Sequence, residues 1–465
     1  MKKSAAVLIL VLLLLAGACS ACALELKTQG IRSFDDNILT VNTETGGTLT
    51  IEAVSGTVPL KNPVTGLEIP AGKTEILWDG LTFGGEPLQQ GKLTLRAILE
   101  HSDGTSEETS VTTAAARPRS AAVCCLPAAE SVYLDGKTPL RIEVGVSGTG
   151  TCELSIASKE NPEEELWHMK DANGQKYPVV FWWDGRNRHH GICEPGVYIL
   201  SAYTSVCRER VIQAEVTLLA EPVPEPELAV TGSLIPTDLS DDAVVWEALT
   251  APVAVGAGEE GNGLYIVSEK SASSPKAGTC SCRTVGVAVL EICGDGWVKV
   301  GAWRQPDGAY IEGYVKEDKL RMIRPNTRYG ILLDKKEQMM TVYEYGKPIG
   351  TVLVSTGLVD EKHPKADTHS GVYLLGTRMA GFERDGHNYQ YPIRIDGSNL
   401  IHQLGYAVHN GERSFEEEMA LLGSKASHGC IRVDPRITEA GNGINSWWIW
   451  THLPHDTKII ITPDD

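Results

Sequence analysis

The sequence lacks a basic excess and the common nucleotide and metal motifs. Its 60 acidic residues outnumber its 42 basic ones, and the formal net charge is -18. Because nucleic-acid binding normally needs a basic surface, this balance argues against a nucleic-acid partner. No dinucleotide-binding fingerprint or phosphate-binding loop occurs, and Cys280-Ser281-Cys282 has neither C-x-x-C spacing nor nearby histidines. The sequence therefore predicts no cofactor and no metal.

Long helical patterns are also scarce. Short runs that alternate apolar and polar residues, such as 93–99 and 140–146, are separated by Gly, Asn, Asp and Pro. A period of two residues indicates strands with one buried face. At 465 residues the chain is too long for one core. We therefore expect an all-β multidomain protein.

The N-terminus carries the one long apolar run. A short positive start at residues 1–3, an apolar stretch at 5–15 and small residues up to Ala23 form the layout of a secretory signal. Residues 1–23 are therefore predicted to be a signal peptide of an exported protein of the cell wall or periplasm. Cleavage before Leu24 is the favoured ending, and lipid anchoring at Cys19 or Cys22 stays open. No later apolar stretch reaches the length of about 20 residues that a membrane span needs, so none is expected after signal removal.

Cysteine usage separates one residue from the others. Beyond the signal region and Cys430, eight cysteines remain, at positions 124, 125, 152, 193, 207, 280, 282 and 293. In an exported protein an even number favours disulfides, whose pairing the sequence does not give. Cys430 has no partner in its own domain and is therefore expected to stay a reactive thiol.

An internal repeat divides the first half of the chain. Trp78-Asp79-Gly80 and Trp183-Asp184-Gly185 each precede a Gly that opens an alternating strand, thirteen positions after the Trp in both cases. The unit resembles the immunoglobulin-like (Ig-like) β-sandwich modules of bacterial surface and flagellar-hook assembly proteins. We assign one module to residues 24–116 and a second to 117–219.

A Pro/Glu-rich linker follows at 220–249, because alternating prolines at 222–226 favour an extended segment. Residues 250–323 contain Gly-Trp-Val-Lys-Val at 296–300 and Gly-Tyr-Val at 313–315, a pairing that resembles bacterial SH3-like barrels. Such a barrel implies contact with wall glycan. A β-rich spacer without a ligand is the alternative interpretation. Residues 324–465 form the last domain.

The chemistry is concentrated in Ser427–Arg432, which reads S-H-G-C-I-R. A thiolate is the competent nucleophile, and a nearby imidazole helps a Cys to ionise. Glycine before Cys430 permits close backbone approach and N–H groups aimed at an oxyanion. Asp434-Pro435 has the pattern of a helix start, so a helix is expected there.

This string closely resembles the signature of the L,D-transpeptidases with a YkuD-type catalytic domain. The resemblance extends over the whole last domain, through Val-Ser-Thr-Gly at 354–357, Leu-Ile-His at 400–402 and Leu-Gly at 422–423. The closing segments at 443–450, which contains the Trp cluster, and 457–461 resemble the family's last helix and strand. It implies a β-sandwich catalytic domain with short helices. It also implies roles for seven residues: Cys430 as nucleophile, His402 or His428 as base, Gly429 and Ser427 in the oxyanion loop, and Arg432 and Tyr391 in substrate binding.

Two departures from the family pattern affect this region. Thr368-His369-Ser370-Gly371 stands where a T-P-x-G step is usual, and the segment between His402 and Ser427 is longer than usual. His409 is therefore an alternative base, although His409-Asn410-Gly411 is typical of a turn. The inserted residues 415–419 predict a short amphipathic helix over the site.

The resemblance implies an enzyme that joins peptidoglycan stem peptides through a cysteine thioester, without a cofactor. Two other functions stay open. Water as acceptor would make the protein an L,D-carboxypeptidase that trims tetrapeptide stems. A non-catalytic wall-binding scaffold is the other possibility, and the intact S-H-G-C-I-R string argues against it.

Overall fold

The structure is a computed structural model that describes residues 24–464 except 57, 172–177, 380 and 398. Strands make up 51% of the chain and helices 5%, so the expected all-β multidomain class is confirmed. The predicted signal peptide, including Cys19 and Cys22, lies outside the described residues. No described helix has the length and apolar character needed to cross a membrane.

Two compact units emerge from the contacts along the chain. One unit runs to Arg119 and includes Val408–Ser414, and the other contains Ser120–Ala407 and the chain from Phe415 onward. The domain limits expected from the sequence stay predictions, although each expected domain has strands of its own.

The first sandwich packs a three-stranded sheet of order β1-β2-β5 against a four-stranded sheet of order β4-β3-β6-β7. Its core is built from the inward-facing residues of both sheets, with Leu39, Leu49 and Leu95 fully buried. The strands are β1 Glu25–Lys27, β2 Asn37–Thr43, β3 Gly47–Ser55, β4 Val58–Ile69, β5 Gly72–Trp78, β6 Gly91–Glu100 and β7 Ser106–Ala115.

The second sandwich has the same two-layer plan. Sheets of order β13-β10-β8 and β12-β11-β14-β15-β9 enclose a core centred on Ile142, Leu154 and Trp183. The strands are β8 Ala122–Pro127, β9 Ser131–Val132, β10 Leu140–Val146, β11 Cys152–Ser158, β12 Asn161–Asp171, β13 Val179–Trp183, β14 Gly196–Thr204 and β15 Cys207–Leu218.

The Trp-Asp-Gly repeat has one geometry in both sandwiches. The indole N–H of Trp78 donates to the carbonyl of Leu81 at 3.2 Å, and that of Trp183 donates to the carbonyl of Arg186 at 2.9 Å. The aspartate that follows each Trp accepts the backbone N–H two residues later. Both tryptophans are buried, so in each repeat the same residue packs in the core and holds the turn that follows it. The sequence repeat is thus also a structural repeat.

The linker ends in helix α1, Asp242–Thr250, whose N-cap is Asp241. The Lys458 ammonium caps its other end by donating to the carbonyls of Ala248, at 2.7 Å, and Ala251. Cations at a helix C-terminus are favourable because the last carbonyls carry partial negative charge. Burial lowers the pKa of Lys458 to about 7.

A seven-stranded, barrel-like sheet follows, of order β18-β17-β21-β20-β19-β16-β22, with a 3-10 turn at Glu317–Lys319. We refer to it as the barrel-like module. Its strands are β16 Val253–Gly256, β17 Gly263–Val267, β18 Lys276–Ser281, β19 Gly286–Ile292, β20 Trp297–Trp303, β21 Tyr310–Lys316 and β22 Leu320–Ile323.

The C-terminal domain is built on an eight-stranded sheet of order β26-β34-β23-β24-β25-β33-β30-β29, with separate hairpins β27-β28 and β31-β32. Short helices are α2 Glu416–Met419 and α3 Ser446–His452, so helices were correctly expected in the insertion and around the Trp cluster. The strands are β23 Tyr329–Asp334, β24 Met339–Glu344, β25 Lys347–Ser355, β26 Gly371–Leu374, β27 Phe382–Arg384, β28 His387–Tyr389, β29 Ile393–Asp396, β30 Asn399–Gln403, β31 Ala407–His409, β32 Glu412–Ser414, β33 Ile431–Val433 and β34 Lys458–Ile461.

Two expectations were wrong. No helix begins at Asp434: its carboxylate accepts the backbone N–H of Arg436 at 2.9 Å, as an N-cap would, but the chain after Arg436 continues in bends and turns. The nine cysteines of the described chain are all free thiols, seven of them buried. Burial raises the pKa of Cys124 to about 11 and that of Cys152 to about 12, so these residues pack as small apolar side chains.

A buried ion pair joins the second sandwich to the C-terminal domain. Arg378 and Glu143 have side chains that are 0% and 1% exposed, and their charged groups are in contact. Arg378 Nε also donates to the carbonyl of Trp450 at 2.9 Å. Beside this pair, a Cβ added to Gly145 would lie 2.8 Å from the Trp450 ring, so only glycine fits there. Complementary charge and close packing therefore fix this contact.

Candidate active site

The S-H-G-C-I-R segment enters the sheet as β33, between β25 and β30. Strands β30 and β33 run parallel, with Ile401 opposite Ile431 and His402 opposite Arg432. Cys430 immediately precedes β33, beside the start of β30. The parallel register therefore brings His402 next to the segment that carries the thiol, although His402 and Cys430 are 28 positions apart in the chain.

The loop before Cys430 is held by the side chain of Ser427. Ser427 Oγ donates to the Cys430 carbonyl at 2.5 Å and accepts the Gly429 N–H at 3.1 Å. Gly429 has φ 112°, and an added Cβ would lie 2.6 Å from Asn399 Oδ1. Only glycine fits this backbone without strain. The Gly429 N–H is engaged within the loop, and its oxyanion role stays a prediction.

Thr368 ties the loop to the neighbouring chain. Its hydroxyl donates to the Gly429 carbonyl at 2.9 Å and accepts the Gly357 N–H at 2.8 Å. The side chain is 1% exposed, so both bonds lie out of solvent. The departure at 368–371 marked this segment in the sequence, but the role of the hydroxyl was not foreseen. The structure thus adds Thr368 to the residues that shape the site.

His402 has the protonation state of a base. Its Nδ1 lies 2.7 Å from the carbonyl oxygen of Gln403, which can only accept, so Nδ1 carries the proton. Burial, reinforced by the positive charge of Arg432, lowers the pKa of His402 to about 4. The imidazole is therefore neutral at neutral pH, with a lone pair on Nε2.

Aromatic rings fix the orientation of this imidazole. Tyr389 and Phe382 both meet His402 edge-on, with centroid distances of 5.0 and 5.5 Å. The two rings stack on each other at 5.0 Å and belong to the hairpin β28 and β27. The hairpin therefore packs directly on the proposed base.

His428 lies in a different setting. Its side chain is exposed, and its ring meets that of His363 edge-on at 4.6 Å. Partial burial and the nearby charge of Arg384 lower its pKa. Although adjacent in sequence to the thiol loop, His428 faces the segment around His363. His409, the other alternative, is exposed at the end of β31 and belongs to the first compact unit. The geometry therefore favours His402 as base.

Cys430 is a thiol at rest. The side chain is part-buried, and this burial raises its pKa above the ordinary value of 9.0. A hydrogen bond from the Leu400 backbone and the charges of Arg432 and Arg384 act in the opposite direction. Within the described residues, no hydrogen bond joins the Cys430 sulfur to an imidazole. A base is therefore needed to generate the thiolate.

Arg432 is buried and paired. Its guanidinium lies 2.5 Å from Glu418 Oε2 on α2, and 5.8 Å from the centroid of the Tyr389 ring. This arrangement suits support of the loop, and direct contact of Arg432 with substrate stays a prediction. The sequence did not identify Glu418, whose only signal was its place in the predicted amphipathic helix.

Tyr391 packs on the closing helix. Its ring centroid lies 5.0 Å from that of Trp447 and 5.9 Å from that of Trp450. The structure does not bring this residue into the group of Cys430, His402 and Arg432, and its substrate contact stays a prediction. Among the described residues, no group of three or more His, Cys, Asp or Glu side chains could hold a metal.

The last domain is similar to proteins that are already known. Residues 328–461 match the family model described as YkuD, the L,D-transpeptidase catalytic domain. A putative L,D-transpeptidase, YciB, of Bacillus subtilis is 28% identical over 131 residues, which are 27% of this chain and 62% of that protein. The chain thus spans less than two thirds of this relative. The C-terminal part of the protein is thus similar to YkuD-type L,D-transpeptidase catalytic domains, as its sequence pattern indicated.

Solved structures of L,D-transpeptidases are also similar. One from Mycobacterium smegmatis aligns with 46% of this chain and 92% of its own, at 11% identity and a TM-score of 0.24. The catalytic domain of the enzyme from E. faecium aligns with 29% of this chain and 96% of its own, at 18% identity and a TM-score of 0.20.

Proposed function

We propose that the protein is a peptidoglycan L,D-transpeptidase that cross-links stem peptides through a thioester on Cys430. The observation that carries the proposal is the neutral His402, whose Nδ1–H is held by the Gln403 carbonyl and whose strand lies in register with the Cys430 segment. A buried neutral imidazole next to a thiol loop is the arrangement that a cysteine acyl-transfer enzyme needs.

The reaction runs in two steps. In the first, the thiol proton passes to His402 Nε2, and the sulfur attacks the carbonyl carbon of the third residue of a donor tetrapeptide. The C–N bond breaks, the proton goes to the leaving amine, and D-alanine departs. In the second step, an amine of an acceptor stem attacks the thioester, His402 takes the amine proton, and the sulfur leaves to regain it as a thiol. A new amide joins the two stems.

Exclusion of water favours the amine as acceptor. His402 is 2% exposed and is covered by the Phe382 and Tyr389 rings, so the base is shielded from bulk solvent. A thioester in such surroundings survives long enough for capture by an amine. This shielding supports transpeptidation over carboxypeptidation.

Export and wall contact complete the proposal. Residues 1–23 would direct the chain out of the cytoplasm, and peptidoglycan would be its substrate there. In the barrel-like module, Tyr265 and Tyr310 are exposed at 56% and 47%, and Lys276 Nζ lies 3.6 Å from the Tyr265 ring centroid. Exposed aromatic rings with polar neighbours are suited to sugar contact, which supports a wall-glycan role for this module.

The test is mass spectrometry of the purified protein incubated with tetrapeptide muropeptides, beside a Cys430→Ala control. We expect an acyl-enzyme that has lost D-alanine, followed by a cross-linked dimer, both absent from the control. Tripeptide and free D-alanine without dimer would assign the L,D-carboxypeptidase activity instead. Absence of both product and adduct would refute the enzymatic function and leave the wall-binding scaffold.

A further inference from the structure

The insertion between His402 and Ser427 carries a buried carboxylate. Helix α2 presents three consecutive glutamates, of which Glu416 and Glu417 are exposed and Glu418 is 7% exposed. Glutamate is almost never buried unless it is paired, since removing its charge from water is costly. The position of Glu418 therefore needs partners that match its charge.

Those partners are two side chains of the active site. Glu418 Oε2 lies 2.5 Å from Arg432 Nη1, and Glu418 Oε1 accepts the Tyr389 hydroxyl at 3.3 Å. The Arg432 guanidinium also lies over the Tyr389 ring. One carboxylate thus holds a cation from the thiol segment and a phenol from the hairpin that covers the base.

Both partners act on the reacting groups. Tyr389 meets the His402 ring at 5.0 Å, and Arg432 is the register partner of His402 across β30 and β33. The positive charge of Arg432 also lowers the pKa of the Cys430 thiol, against the effect of burial. A change in the Arg432–Glu418 pair is therefore expected to alter both the position of the His402 ring and the pKa of Cys430.

The insertion itself is held by β25. The Ser355 hydroxyl donates to the Leu421 carbonyl at 2.9 Å, and the Gly423 N–H donates to the Val354 carbonyl at 3.1 Å. At the other end, the Phe415 ring packs on Tyr406 with centroids 5.4 Å apart. Glu418 therefore lies on a segment that is held at both ends, and it can hold Arg432 and Tyr389 in place.

Two cations act on the thiol. Arg432 follows Cys430 on β33, and Arg384, which pairs with the adjacent Asp385, comes from the hairpin β27-β28. His428, whose pKa is lowered, lies in the loop before Cys430. Against this mainly positive set, Glu418 is the buried carboxylate in contact with Arg432. Removing it would leave the field of Arg432 uncompensated.

We propose that Glu418 is a positioning residue of the acyl-transfer reaction: its carboxylate holds Arg432 and Tyr389 around His402 and limits the positive charge that Arg432 presents to Cys430. The role in turnover rests on the function proposed above. The effect on the thiol does not.

The experiment compares wild type with Glu418→Gln, Glu418→Asp and Glu417→Gln in the full chain. Glu417 is the matched control, because it lies on the same helix, is 78% exposed and pairs with His387 rather than Arg432. Two quantities are measured: the pH midpoint of Cys430 alkylation by iodoacetamide, and the single-turnover rate of acylation by a tetrapeptide muropeptide. Thermal melts establish that each variant is folded.

We expect Glu418→Gln to lower the alkylation midpoint by about half a pH unit or more, since Arg432 loses its counter-charge. Acylation should slow by about tenfold, because Tyr389 and the base lose their fixed orientation. Glu418→Asp should keep the midpoint of wild type, because it keeps the charge, and show an intermediate acylation rate. Glu417→Gln should match wild type in both quantities.

An unchanged midpoint in Glu418→Gln, or equal shifts in the Glu418 and Glu417 variants, would overturn the proposal. If Glu418→Gln does not fold, Glu418→Asp decides, and a wild-type acylation rate in that variant would count against positioning. A wild type that alkylates normally but is never acylated by peptide would refute the proposed function alone, since alkylation needs no peptide.

Discussion

His369 and Asp396 form a buried ion pair, with Nδ1 and Oδ2 3.1 Å apart and side chains 5% and 4% exposed. The other carboxylate oxygen of Asp396 accepts the Ser281 hydroxyl at 3.1 Å and is in contact with the Gln305 amide. Ser281 and Gln305 belong to the barrel-like module, whereas the ion pair belongs to the C-terminal domain. One polar network therefore spans the two, and His369 directly follows the Thr368 that holds the thiol loop.

This pair predicts a pH-dependent stability. Burial opposes the charge on His369, but the hydrogen bond and charge of Asp396 outweigh it and raise the pKa above 6.5. The stabilisation that the charged His369–Asp396 pair gives the folded state is complete below pH 6.5. It is lost as pH rises through the higher pKa of His369 in the folded state. We expect His369→Gln to lower the free energy of unfolding by about 3 kcal/mol at pH 6 and by less at pH 8.

Thermal and denaturant unfolding from pH 5 to pH 8 measures this difference. His363→Gln is the control, because His363 is an exposed histidine whose ion pair is with the exposed Asp360, at 3.1 Å. A destabilisation by His369→Gln that does not vary with pH would contradict the ionic nature of the pair.

The thiol of Cys430 should titrate high, and Arg432 should hold that value down. Burial raises the pKa of Cys430 above 9.0, and the Arg432 charge opposes the rise. Arg432→Gln should therefore move the alkylation midpoint up, the reverse of the shift expected for Glu418→Gln. At pH 8 we expect alkylation about three- to tenfold slower than in wild type. Mass spectrometry of the Cys430 peptide gives the rate, and Lys347→Gln removes an exposed, unrelated charge as control.

His402 and His428 should differ in their importance for acylation. His402→Gln removes the Nε2 lone pair, so the acylation rate should fall by about 10²- to 10⁴-fold. His428→Gln removes an exposed ring that faces His363, and we expect a rate within about threefold of wild type. Single-turnover acylation by a tetrapeptide muropeptide compares the two. Equal losses in both variants would mean that the base has not been identified.

Thr368 should matter through its hydroxyl. Thr368→Val leaves the Gly357 N–H and the Gly429 carbonyl without this buried partner, which we expect to cost about 1–3 kcal/mol of folding stability. Acylation should slow as well, because the loop before Cys430 loses its tie. Thr368→Ser keeps the hydroxyl and should restore most of both losses. A valine variant as stable and as fast as wild type would show that the two bonds are dispensable.

Local patterns predicted the features that depend on neighbours in sequence. Trp-Asp-Gly marked a repeated unit, and in both copies the indole N–H donates to the carbonyl three residues later. The closing segment at 443–450 predicted a helix, which forms at Ser446–His452. Asp434 also accepts the N–H two residues later, as an N-cap does, yet the chain after Arg436 continues in bends and turns and the expected helix is absent. A capping side chain alone therefore does not make a helix, because most helical stability in proteins comes from tertiary packing.

Features that depend on distant partners were not predictable from the sequence. Asp396 and Ser281 are 115 positions apart, and Glu418 contacts Arg432 only because the insertion folds back against β25. The spacing of apolar residues along the chain does not show which polar side chains pair in the folded protein. For the same reason three histidines were candidate bases on sequence grounds, and the parallel register of β30 and β33 was needed to favour His402.

The contact between Glu143 and Arg378 bears on how this protein can change by domain shuffling. The family segment at 328–461 contains Arg378, but the counter-ion of that buried charge is supplied by the second sandwich. A recombination that replaced the sandwich would leave the buried Arg378 guanidinium without its counter-ion. The loss of folding free energy would be comparable to the net stability of a small domain. Sandwich and catalytic domain are therefore expected to be inherited together, or to separate only after position 378 has become uncharged.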